Sequence, residues 1–317
     1  MNIQNTNTQG SDESRATPPV PQAQGVWQRW ELPTWIIGVF VFGGYYLLMT
    51  HAAQLAWWQL ALLAGPLLCL HGSLQHEILH GHPTRLPWLN DLLGWAPLSL
   101  WIPYSRYRDS HRLHHEVSTL AEPGIDPESY YHLSENWQNK SGLGRLIWHI
   151  NFTFIGRMII GPWLVLWGFF VSEGKQLLKG DAYSWKSWLP HFVLSALLVM
   201  WLQEQGIAWW YYGLVCIWPG LSLTLMRSYT EHRPESNNHR RTALVEGNWF
   251  TNTLYMAVNI HQVHHEHAGM PWFMVKPYYL ANKDYVLAKN GNFFYRGYGQ
   301  IIGHFLVKQK DSPVYDR

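Results

Sequence analysis

The sequence predicts an all-α integral membrane protein, built as two transmembrane helical hairpins that carry a cytoplasmic helical cap. Three observations lead there. Charged residues make up only 14% of the chain, against roughly 25% in soluble domains, and the polar residues gather into blocks between apolar runs. The 20 Trp and 17 Tyr exceed what a soluble core needs, and amphipathic rings such as Trp57, Trp58, Trp209, Trp210, Tyr211 and Tyr212 collect at the headgroup level of bilayers. Four stretches, about 34–50, 53–71, 188–204 and 207–226, approach the roughly 20 apolar residues that a membrane helix needs.

In chain order, residues 1–28 are rich in Gln, Asn, Thr, Ser and Pro. They lack a basic region followed by an apolar one, so they read as a disordered polar tail and not as a cleaved signal. Residues 29–317 read as one domain. The first two apolar runs are joined only by Thr50, His51 and Ala52, and the second two by Gln203, Glu204, Gln205 and Gly206, so each pair reads as a hairpin. Neither tip contains Lys or Arg, and the intervening blocks contain many. Because basic loops stay in the cytoplasm, the tips are expected outside, and both termini and the polar blocks inside. A fifth run, 152–171, has Arg145 and Arg157 on one side, Lys175 and Lys179 on the other, and Gly161–Pro162 near its middle. It reads as a re-entrant or in-plane segment. The end from about residue 272 is polar and aromatic and is assigned to the cap.

A net charge of +2 without a basic stripe argues against nucleic acid. Cys69 and Cys216 both lie inside apolar runs, which suggests neither a disulfide framework nor a thiolate metal site. No internal repeat and no Gly-rich phosphate loop is present.

The 18 histidines carry the chemistry. His76-Glu77-Ile78-Leu79-His80 sets two imidazoles four apart on one helical face. His111-Arg112-Leu113-His114-His115 and His261-Gln262-Val263-His264-His265 each set three at i, i+3 and i+4. Neutral imidazole binds iron, zinc and copper well, and several presented from one turn fix their geometry in advance. Eight imidazoles are too many for one ordinary ion. Two ions with mostly nitrogen ligands fit the number, and histidine-rich sites that keep open positions suit iron oxygen chemistry. A ninth candidate, His232, follows the last apolar run at the mouth of the same face.

HEILH, HRLHH and HQVHH, in that order and separated by apolar hairpin regions, resemble the three histidine boxes of the membrane fatty acid desaturase superfamily. That superfamily includes acyl-lipid desaturases and carotenoid ketolases and hydroxylases. The likeness covers roughly residues 70–275. It implies a non-haem di-iron site with His76, His80, His111, His114, His115, His261, His264 and His265 as box ligands and His232 as the additional one. HHEHAGMPWF is similar to the end of the third box in several acyl-lipid and carotenoid members. HEILHG is similar to the short first box of carotenoid ketolases, which usually begin His-Asp, whereas Glu77 stands in that place here. The resemblance further implies O₂ as co-substrate and a lipid substrate, an acyl chain or a carotenoid, with desaturation favoured over hydroxylation or ketolation. No haem-binding segment and no flavin or nicotinamide fingerprint is present, so an external donor such as ferredoxin, rubredoxin or a cytochrome is expected.

HEILH also matches the HExxH zinc signature, in which the glutamate is a general base. A membrane zinc protease would leave both HxxHH clusters unexplained. A metal store or transporter would place its ligands at mid-bilayer. His82 and His267 are expected to support the boxes, and His71 could replace a first-box ligand. His51, His132, His149, His191, His239 and His304 lack partners at helical spacing and read as solvated or interfacial. Glu77, Asp109, Glu116, Glu231 and Glu266 neighbour box histidines and could accept their second N–H; Glu231 and Asp109 are the preferred pair.

Overall fold

The computed structural model describes residues 17–316. The tail expected over 1–28 lies in part outside them. From Thr17 onward the chain has partners, because Tyr278 donates its hydroxyl to the Pro18 carbonyl (3.0 Å) and Tyr285 donates to Thr17 Oγ1 (3.0 Å). A short helix, α1 (Gly25–Arg29), follows.

Helix α2 (Leu32–Thr50) matches the first apolar run. The next helix, α3 (Trp57–Leu79), continues eight residues past the end of the second run. Its polar end stays helical because it is buried with partners: Ser73 Oγ donates to the Leu254 carbonyl (2.8 Å) and Gln75 Nε2 to the Gly94 carbonyl (2.7 Å). Then come α4 (Pro87–Gly94), α5 (Tyr104–Glu116), α6 (Ser134–Gln138), α7 (Gly142–Asn151) and α8 (Phe154–Ile159). The break expected at Gly161–Pro162 is present. There α9 (Gly161–Leu178) starts with proline in its first turn, where the missing N–H has no partner to lose.

Helix α10 (Ala182–Glu204) is capped by the Asp181 carboxylate, which accepts from Ser184 N (2.7 Å). It is followed by α11 (Trp209–Tyr212), a π turn (Gly213–Ile217) and α12 (Trp218–Ser228). Among the described residues, α2 alone is long and apolar enough to cross a membrane by itself; α10 and the α11–α12 stretch meet that standard as a pair, bent by 103° at their break. This bend falls short of the near-complete reversal that a tight hairpin requires. Left-handed Gly206 (φ +78°) sends the chain off sideways.

The principal crossing joins α3 to α12. A Cβ on Gly65 would stand 2.9 Å from Pro219 Cβ, and one on Gly220 would stand 2.9 Å from Leu68 Cβ. Only hydrogen fits at these two points, so the backbones meet closely. The residues after α12 build the cap. A two-residue parallel pair, β1 (Leu244–Val245) with β2 (Phe294–Tyr295), brackets α13 (Trp249–Leu254), α14 (His261–Glu266), α15 (Trp272–Ala281) and α16 (Lys283–Lys289), and α17 (Tyr298–Phe305) follows. A separate small core of Leu244, Ala257, Ile260, Val263, Met274 and Tyr278 supports α14 from below.

Candidate metal centre

Nine imidazoles converge from four parts of the chain. Box one occupies the last turn of α3 and its C-cap, His80. Box two lies on α5 and box three on α14. His232 sits just beyond α12, where it is held in a bridge to Thr242 and its carbonyl accepts from Lys310 Nζ (2.9 Å). The ligand atoms fall into two sets, each within a 4.8 Å span: His76, His80, His111, His115 and His264 in one, His114, His232, His261 and His265 in the other. All nine histidines anticipated from the sequence are in these sets, and none of the other nine is.

Each HxxHH turn divides its imidazoles between the sets. Positions i+3 and i+4 differ by about 100° around a helix, so α5 sends His111 and His115 to one side and His114 to the other. The α14 turn sends His264 one way and His261 and His265 the other.

Distances within each set decide what it can hold. His115 Nε2 lies 3.0 Å from His111 Nε2 and 2.9 Å from His264 Nε2. His232 Nε2 lies 3.1 Å from His114 Nε2 and 3.0 Å from His261 Nε2, and His265 Nε2 lies 3.2 Å from His261 Nε2. Two nitrogens bound to one ion at the roughly 2.1 Å of a metal–imidazole bond would stand about 3.0–3.4 Å apart. The observed separations fit.

Outward partners fix the tautomers. His111 Nδ1 bonds to Glu128 Oε1 and His114 Nδ1 to Asp126 Oδ1, both at 2.7 Å, and His261 Nδ1 faces the Val258 carbonyl at 3.2 Å. An Nδ1 that donates outward leaves Nε2 with a bare lone pair pointing inward. Both nitrogens of His76 and Nε2 of His80 are buried with no hydrogen-bond partner. Converging lone pairs without protons call for a cation, so the arrangement is compatible with a metal cofactor.

The electrostatics agree. Burial, reinforced by the neighbouring His111, pushes His115 down to about 3, and His264, His265, His261 and His232 are all held well below the usual range, chiefly by burial. These imidazoles stay neutral, as ligands must. His114 differs: burial opposes its charge, but the carboxylates of Glu128 and Asp126 outweigh that and hold it up, to about 9.

Asp126 and Glu128, twelve and seventeen residues from their histidine partners, were not anticipated. Attention to box neighbours passed over them, though Asp126-Pro127-Glu128 is an acidic pair shortly after box two. Of the five anticipated carboxylates, only Glu231 approaches a box imidazole, at 3.5 Å from His261 Nδ1, while it also pairs with Arg227 at 2.9 Å. Asp109 instead bonds to Arg108 and Tyr183, because its side chain leaves α5 away from the imidazoles. Glu266 pairs with Lys289 and Gln262, and Glu116 is exposed.

Glu77 is turned away from the imidazoles. Its Oε1 accepts from the backbone N–H of Trp272 (2.9 Å), at the start of α15. Beside it His82 Nδ1 bonds to Glu31 Oε1 at 2.8 Å, so this trio clasps the exit of box one to the segment after box three. A general base of the HExxH kind would have to face the metal, and Glu77 does not. His267 bonds to the Tyr278 hydroxyl (2.9 Å), and His71 packs edge-on against Phe42. His191, expected at an interface, is buried and bonds to the Leu100 carbonyl (2.9 Å).

The family model described as "Fatty acid desaturase" matches residues 52–297, a span that takes in all nine imidazoles and both acidic supports. A comparison with curated proteins finds no match. The histidine clusters and the extent of that match lead to one conclusion: the chain belongs to the fatty acid desaturase family, whose members are lipid-modifying oxidoreductases.

Proposed function

We propose that this protein is a multi-pass membrane di-iron oxidase that desaturates the hydrocarbon chain of a lipid, with His76, His80, His111, His115 and His264 holding one iron and His114, His232, His261 and His265 the other. The observation that supports it most directly is the division of nine convergent imidazoles into two compact sets. Iron bound there would supply the reduction of O₂ and the removal of hydrogen from an unactivated C–H bond, with electrons from an external donor protein such as a ferredoxin, rubredoxin or cytochrome.

The chain's own residues prepare that chemistry. Asp126 and Glu128 orient His114 and His111 through their Nδ1 protons. Burial of His76, His111, His114, His261 and His264 (none more than 5% exposed) keeps water from the reacting centre. The exposed apolar side chains of α2, α9 and α10, among them Phe40, Leu47, Trp167, Phe170, Val193 and Leu197, suit contact with lipid. In this reading residues 29–317 form one membrane domain, both helix pairs enter the bilayer, and the imidazoles and both termini lie on the cytoplasmic face.

The test is expression of the full chain with a reductase in two hosts, one making ordinary phospholipids and one accumulating carotene, under labelled O₂. A product two hydrogens lighter and free of label is expected. A labelled hydroxyl or keto product would replace desaturation by hydroxylation or ketolation. Stoichiometric zinc in the purified protein would overturn the di-iron assignment.

A further inference from the structure

A second polar feature lies outside the imidazole sets. The segment between α3 and α4, together with the outer face of α5, encloses an open pocket of about 380 Å³ whose wall includes Arg85, Arg108, Arg112, Thr84, Asn90 and Asp91. Three guanidinium groups meet there and only one carboxylate lines the wall. Arg108 is committed, to Asp91 (2.9 Å) and to Asp109 outside the pocket (2.9 Å). Arg112 makes one long contact, to the Leu79 carbonyl (3.4 Å), and among the described residues neither it nor Arg85 has an acidic partner. The pocket therefore carries two uncompensated cations, and guanidinium is the side chain whose fork matches phosphate oxygens.

The floor of this pocket is fixed. Asn90 is buried and accepts from both Thr84 N (3.1 Å) and Thr84 Oγ1 (2.8 Å), which holds the loop bearing Arg85 against α4. That same helix exposes Trp88 and Leu92 at 65% each, and its C-cap, Trp95, is 37% exposed. Their i, i+4, i+7 spacing makes a single apolar stripe. Two arginines without a carboxylate partner, beside an exposed Trp–Leu–Trp stripe, describe a surface with apolar groups for acyl chains and cations for the headgroup layer. An acidic soluble protein would meet the cations but would have no use for the stripe.

We infer that the Arg85–Arg108–Arg112 pocket binds the phosphate of an anionic phospholipid, whose chains lie along the Trp88–Leu92–Trp95 face of α4. This inference rests on the membrane placement proposed above. The chemistry recognised is a phosphate monoanion at the bilayer surface. Each arginine near such a surface contributes about 1 kcal/mol, or about fivefold in affinity, so loss of two should weaken binding by about 25-fold.

The experiment uses the purified full chain in a non-ionic detergent, with lipid retention followed by native mass spectrometry. Phosphatidylglycerol, phosphatidylcholine and inorganic phosphate are the probes. One tightly retained phosphatidylglycerol is expected, with much weaker retention of phosphatidylcholine, weakening about fivefold in Arg85→Gln and about 25-fold in Arg85→Gln/Arg112→Gln. Because Arg85 is exposed, the single variant answers the question even if the double variant fails to fold. Equal retention of the two lipids, unchanged retention in Arg85→Gln, or displacement by millimolar inorganic phosphate would each overturn the proposal. Carbonate extraction separates it from its premise: a chain released from membranes by carbonate refutes membrane placement, whereas an embedded chain without phosphatidylglycerol preference refutes only the pocket.

Discussion

Replacement of Asp126 by alanine should loosen iron and destabilise the fold together. The carboxylate is 3% exposed and accepts three hydrogen bonds, from His114 Nδ1 (2.7 Å), Ala121 N (2.7 Å) and Glu128 N (2.8 Å). Truncation leaves three donors without an acceptor, two of them, His114 Nδ1 and Ala121 N, buried, at about 1–3 kcal/mol each. Water can enter the space of a lost carboxylate, so the lower end applies and the expected cost is about 3 kcal/mol. The effect on metal is separate. Loss of a partner that orients a ligating imidazole typically lowers affinity about 10–100-fold, and here it also frees His114 to turn and removes a charge from beside it. Asp126→Asn keeps an acceptor oxygen but not the charge, so it should recover most of the stability and little of the affinity. The assay is iron retained by detergent-purified full chain after dialysis against graded chelator, with melting followed in parallel. An alanine variant that folds and releases iron at the wild-type chelator concentration would refute the role given to Asp126.

The remaining expectations concern single residues and pH. His76→Ala should reduce iron to about one per chain and His261→Ala should do the same through the other set, as measured by elemental analysis; two irons retained in either variant would contradict the division of ligands. His114→Ala and His264→Ala should abolish product formation while leaving membrane insertion intact, which lipid analysis and carbonate extraction check separately. Gly220→Ala places a methyl 2.9 Å from Leu68 Cβ and should cost about 1–3 kcal/mol by overpacking, read as a lower melting temperature. Metal-free protein should melt at a lower temperature at pH 5 than at pH 7. Between about 6.5 and the depressed value of His115, about 3, the unfolded chain binds protons that the folded one refuses, so stability falls with acidification. His114, held up to about 9, has the opposite sign, its contribution present below 6.5 and lost as pH rises through about 9. The buried carboxyls of Glu77 and Glu231, each raised to about 7 chiefly by burial, share that opposite sign; the depressed imidazoles outnumber these groups and set the net direction, and a flat profile from pH 7 to 5 would count against the buried-neutral description.

The imidazoles were legible because their spacing is itself a geometry: i, i+3 and i+4 on a helix place rings within reach of one another before any tertiary structure is known. His232 was legible only from its place beside the last apolar run. The supports were harder to see. Asp126 and Glu128 reach the boxes through a turn closed by Ala121 N and Glu128 N, and no periodicity announces such a loop. Asp109 misled because adjacency in sequence on a helix means divergence in space, about 100° per residue. The apolar runs located the long helices, but the extension of α3 to Leu79 depended on buried partners for Ser73 and Gln75, which hydropathy cannot register. The 103° turn between α10 and the α11–α12 stretch passes through left-handed Gly206, a backbone choice that the polar composition of the connection does not announce.

The division of the third box has a consequence for how the protein is made. His264 completes one set and His265 the other, and they are consecutive residues, synthesised after all four apolar stretches. Neither set can be filled while the ribosome is still producing the helices that frame it. A metal held by the complete sets therefore cannot template the crossing of α3 and α12, where Gly65 and Gly220 let the helices approach. Both positions then become competent within one residue of each other, so a chain interrupted before His264 would leave both sets incomplete.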